Sequence, residues 1–153
     1  MDYLLIKTLH IISATILFGT GLGTAYFLWS AHRTRDAQVI AAVATHVVRA
    51  DWIFTAPTVL IQPITGIWLA SVAGYGWAGW VSWSLALFTL AGLCWLPVVL
   101  LQIRMRNTAQ RAAQQSRPLP PAYWRDANIW FYLGIPAFAA MIGVFILMVF
   151  KHV

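Results

Sequence analysis

Four apolar stretches, at about 3–29, 52–73, 81–103 and 129–150, dominate this chain. Each is long enough to cross a bilayer, whose hydrocarbon core takes roughly 20 apolar residues at about 1.5 Å of rise each. In lipid the backbone must satisfy its own hydrogen bonds, so such stretches fold as helices. Only 9% of the 153 residues are charged, against about 25% in soluble domains. The chain therefore reads as all-α, a single polytopic membrane domain over residues 1–153 built as an antiparallel four-transmembrane-helix bundle. Nine tryptophans and five tyrosines suit a protein with two lipid–water interfaces. Asp2 stands where a cleavable signal would be basic, so no leader is expected.

The connections fix an orientation. Arg33, Arg35 and Arg49 lie between the first and second stretches, and Arg104, Arg106, Arg111, Arg117 and Arg125 between the third and fourth. The connection "GYGWAGW" between the second and third carries no charge. By the positive-inside rule the arginine-rich connections are cytoplasmic and both termini face outward, in a bacterial inner membrane. The formal charge of +6 thus reports topology, and no nucleic-acid partner is expected. Residues 36–51 place Val39, Ile40, Val43, Ala44, Val47 and Val48 at helical spacing, an amphipathic cytoplasmic extension of the second span. The segment "RPLPP" breaks the helix between the third and fourth stretches.

Several polar residues stand where an apolar span does not need them. Lys7 and His10 share a face of the first helix. Lys7 reaches the interface by snorkelling, but His10 is too short to do so. His10 either bonds across helices or ligates a metal or haem, since polar groups inside membranes are functional by default. Glycines at 19, 21 and 23, and Gly134, Ala137, Ala140 and Gly143, would let a flat macrocycle lie close, and equally suit helix packing or a homo-oligomer. Met148, Lys151 and His152 stand at the same outer level, as apolar filler and solvated terminus or as a second ligand. His46 belongs to the opposite face and could meet only His32 there.

Asp51, Thr55, Thr58, Gln62 and Thr65 recur at spacings of 4, 3, 4 and 3. They form one helical face roughly 21 Å long, which should point into the bundle. The face either ties helices together or forms a polar track for protons or for the carboxylates of a tetrapyrrole, with Arg49 near its inner end as the cationic partner. Cys94 reads as a small core residue, and no phosphate loop, zinc cluster or nucleophile motif appears.

The segment "IKTLHII" is similar to the opening of HemJ-type protoporphyrinogen oxidases and the wider CopD-like group, which place a lysine and then a histidine at the head of their first helix. "FTAPTVLIQPITGIWL" resembles their second helix, and "GIPAFAAMIGVFILMVFKH" their last. Within that group the chain most resembles an uncharacterised bacterial family of predicted integral membrane proteins. The third stretch departs from the HemJ pattern, since "VSWSLALFTLAGLCWLP" has neither its histidine nor its lysine. The resemblance implies haem b held by His10, with Lys151 close by; Lys7 beside His10, and Arg49, Asp51 and Thr55 of the polar face, are the further candidate cofactor contacts. It also implies a redox role with a respiratory-chain electron acceptor. HemJ-like oxidation of protoporphyrinogen and copper handling by a non-enzymatic membrane partner are the alternatives it offers.

Overall fold

A computed structural model describes residues 2–77 and 79–151; His152 lies outside the described residues. The helices are α1 (Asp2–Thr34), α2 (Ala37–Ala50), α3 (Ala56–Val72), α4 (Gly79–Gln114) and α5 (Pro121–Phe150). A π-helical turn, Asp51–Thr55, joins α2 to α3 without a break, so four long rods result. All four are long and apolar enough to cross a membrane. The protein is an all-α polytopic membrane protein with four such helices, consistent with a four-helix bundle.

Local chemistry explains the joints. Arg35 takes a positive φ of 56° and Asp36 caps α2, its Oδ1 accepting from the Gln38 amide at 2.7 Å. The π turn has its cause in Pro57, which has no N–H to give and whose ring crowds the carbonyl four residues back. The turn widens, and Ala56 N–H donates to Asp51 C=O, five residues back. Gly74 and Gly76 hold φ at 78° and 55° in the uncharged turn, where glycine alone is unstrained.

The rods outrun a bilayer. The 36 residues of α4 span about 54 Å, against a hydrocarbon core of about 30 Å. The surplus lies at the arginine-rich end, where the main core forms from Leu28, Ile40, Ala44, Met105, Ala109 and Tyr123. There α2 packs between α1 and α4, and Gln110 Nε2 donates to Thr45 Oγ1 at 3.0 Å. Arg104 pairs with the buried Asp126 at 3.3 Å.

Toward the end bearing the termini, the rods sort into two hairpins, α1 with α3 and α4 with α5. Between hairpins contact is sparse, with α1 meeting α5 and α3 meeting α4 at only a few residues. Phe18 of α1 stacks on Phe138 of α5 at 5.0 Å and meets Phe145 edge-on at 5.3 Å. Below that contact the hairpins stand apart.

Candidate functional site

The polar face of the second span points inward. Asp51, Thr55, Thr58, Gln62 and Thr65 are each 7% exposed or less. Its upper part binds α1: Gln62 Nε2 donates to His10 C=O at 2.8 Å and to Ser13 Oγ. His10 Nδ1 meets Thr65 Oγ1 at 2.7 Å. The Thr65 hydroxyl also lies 2.7 Å from Ile61 C=O, and when it donates there it accepts from an Nδ1–H of His10. In that tautomer the Nε2 lone pair is free, the arrangement a ligating imidazole takes. Gly66 makes room for the ring, since a Cβ there would stand 3.2 Å from His10 Cε1.

The lower part of the face is a separate unit. Thr55 Oγ1 donates to Asp51 Oδ1 at 3.0 Å. Between the two parts Thr58 gives its proton to backbone carbonyls, Phe54 at 2.8 Å and Thr55 at 2.9 Å. Among the described residues no side-chain hydrogen bond joins Gln62 to Thr55, and the face consists of two hydrogen-bonded groups.

The gap between hairpins is a cleft of about 600 Å³. Its walls run from Leu17 to Trp29 on α1 and from Trp130 to Ile142 on α5. Each wall covers about 18 Å of helix, more than half the hydrocarbon thickness. A Cβ at Gly21, Gly92 or Gly134, all in this lining, would meet nothing within 4 Å. Three buried side-chain atoms lack a hydrogen-bond partner among the described residues, and all three belong to this lining: Asp51 Oδ2, Gln102 Oε1 and Trp95 Nε1. Asp51 and Gln102 are each 5% exposed. Burying polar atoms unpaired is costly, so a set of three in one otherwise apolar cleft marks a place for a ligand or ordered water.

The remaining residues singled out in the sequence are dispersed. Lys7 and Arg49 are exposed, and neither lines the cleft. Lys151 caps α5 and stands over the rings of Tyr75 and Trp80 at 5.1 and 5.8 Å, clasping the uncharged turn. His32 and His46 go separate ways: His32 Nε2 bonds Tyr123 Oη at 2.9 Å amid Trp124 and Trp130, whereas His46 is exposed. Among the described residues no cluster of three His, Cys, Asp or Glu side chains could hold a metal. Gln102 and Trp95 were not foreseen. Their only mark in the sequence is a spacing of seven, which puts them on one face of α4.

A haem can be tested against both spaces. Beside His10, the gap shared with Met148 and Phe145 measures only about 60 Å³, well below the roughly 300–1,000 Å³ of ordinary ligand pockets. The large cleft has the volume, but its lining holds neither an imidazole nor a basic residue for propionates, and its carboxylate is Asp51. His10 thus suits axial ligation, while the space around it does not suit the macrocycle.

No curated protein and no solved structure matches this chain. Residues 4–152 match a family described as predicted integral membrane protein (DUF2269), and the chain belongs to that family.

Proposed function

We propose that this integral membrane protein is a binding protein for an apolar ligand taken from the bilayer, held in the cleft between its two hairpins. One observation carries the reading: all three orphaned buried polar atoms, on Asp51, Gln102 and Trp95, line one apolar cleft of about 600 Å³. Apolar walls with a few placed polar groups are the usual make-up of a small-molecule site. The arginine-rich end is cytoplasmic by the positive-inside rule, which puts the polar groups toward the cytoplasmic side of the cleft.

Trp29, Trp95 and Trp130 line the cleft and report on it directly. Titrating the solubilised protein with a brominated long-chain lipid should quench their fluorescence saturably. Gly134→Leu, which grows into open space, should abolish the saturable part. Quenching that is linear in both proteins is partition into the micelle and sinks the reading.

A second reading rests on His10, whose free Nε2 and glycine cradle favour an axial ligand of a b-type haem with a redox role. It requires the hairpins to part near Met148, where the space is only about 60 Å³. Oxidised and dithionite-reduced spectra of wild type beside His10→Ala decide it. A b-type spectrum lost in the variant supports haem, and a colourless wild type after haemin addition removes it, together with the HemJ-like alternative. Copper handling through His10 would instead show as copper retained by wild type and lost from the same variant.

A further inference from the structure

The unmet groups of the cleft describe the head of its occupant, if the cleft is the ligand site argued above. Gln102 and Asp51 bond one another through their side chains, which leaves Asp51 Oδ2 and Gln102 Oε1 over as neighbouring acceptors that call for donors, whereas Trp95 Nε1–H calls for an acceptor. Gln102 and Trp95 are seven residues apart on α4, about 10 Å along the axis. Both side chains lean toward the N-terminal end of that helix, so the separation persists. Donors are therefore needed at the arginine-rich end and an acceptor about two turns deeper.

Charge narrows the class. Among the described residues of the lining there is no lysine, arginine or histidine, and Asp51 is its one carboxyl group. A phosphate or carboxylate head would sit beside Asp51 with no counter-charge, which disfavours phospholipids and fatty acids. An ammonium head would pair with Asp51 but has no acceptor to offer Trp95 Nε1–H. A ketone or simple ester accepts but leaves both oxygens unmet. An uncharged head with hydroxyls, followed by a carbonyl, satisfies all three atoms. The apolar walls beyond, Leu22, Ile135, Phe138 and Ile142 among them, take a hydrocarbon chain.

We propose that the occupant is an uncharged acylglycerol-type lipid, its hydroxyls at Asp51 and Gln102, its ester carbonyl at Trp95, and its chain between α1 and α5. The hairpin gap lets such a lipid slide in sideways from the leaflet, without crossing water.

The test is equilibrium competition on the purified full chain in mild detergent, with tritiated 1-oleoylglycerol as the probe. Unlabelled 1-oleoylglycerol should displace it best. Methyl oleate, oleic acid and oleylamine should each be about tenfold weaker, the effect of one or two lost hydrogen bonds. Trp95→Phe should weaken 1-oleoylglycerol severalfold and leave oleyl alcohol, which has no carbonyl, unchanged. Asp51→Ala and Gln102→Leu should weaken both, with folding checked by melting and size exclusion. If methyl oleate or oleic acid displaces the probe as well as 1-oleoylglycerol, the acylglycerol assignment is wrong while the ligand site stands. If no lipid binds saturably and Gly134→Leu changes nothing, the cleft holds water or detergent and both readings fall.

Discussion

Two glutamines of nearly equal burial should respond unequally to the same substitution. Gln62 and Gln102 are 6% and 5% exposed, each on a membrane-spanning helix. Gln62 ties α3 to α1 through His10 C=O and Ser13 Oγ, whereas Gln102 Oε1 has no partner among the described residues and the Gln102 side chain bonds only Asp51. Interhelical hydrogen bonds in membranes average about 0.6 kcal/mol and reach about 1.7. Gln62→Leu therefore removes roughly 1–3 kcal/mol. Ser13 recovers part of that by turning its hydroxyl to its own helix, as Thr8 and Thr15 do. Gln102→Leu keeps the volume and removes an unsatisfied buried oxygen, but it also removes the amide that bonds Asp51, so the two effects of roughly 1 kcal/mol each offset. The two variants should thus differ by about 1 kcal/mol or more, with Gln102→Leu close to wild type. Thermal and denaturant melts followed by circular dichroism, on delipidated protein in one detergent, measure the difference. Equal destabilisation of both variants would refute the reasoning, because burial alone would then decide the cost and the hydrogen bonds would be irrelevant.

Other outcomes follow from the same geometry. Gly66→Ala should push the His10 ring off Thr65 and lower the melting temperature relative to Gly19→Ala, whose added methyl meets nothing within 4 Å. His32 lies beyond the apolar span, and burial lowers its pKa from 6.5 to about 4. The unfolded chain takes up that proton first, so stability is full above pH 6.5 and falls progressively toward pH 4. His32→Gln should flatten the acid limb of a pH-melting series. Asp126→Asn should cost about 1 kcal/mol or less by denaturant titration, because Arg104 and Arg125 are largely exposed partners at 3.3 and 3.8 Å.

Helix number and type were readable because runs of apolar residues with few charges leave one solution in lipid. The inward polar face was readable too: a spacing of 4, 3, 4 and 3 fits one side of a helix, and all five residues are buried. Periodicity says nothing about partners. It could not show that Thr58 turns its proton to the backbone and divides the face, nor that Thr65 meets the His10 ring. The cleft was hidden for a related reason. It arises where two hairpins fail to meet, and its residues, small on one helix and aromatic on another, resemble ordinary packing positions. Lys151 shares the outer level of His10 by sequence, and periodicity gives no hint that its ammonium stands over Tyr75 and Trp80. Pro57 lies inside the second rod, and only the structure gives the form of the disturbance there, a π turn that carries Asp51 into the cleft.

The most direct measurement is native mass spectrometry of the protein released from its own membranes in a gentle detergent, beside Gly134→Leu. The account predicts a wild-type population carrying one extra mass of lipid size, with no charge change on its release, and a variant that flies bare. Wild type and variant carrying the same adducts, or both bare, would contradict a ligand site between the hairpins.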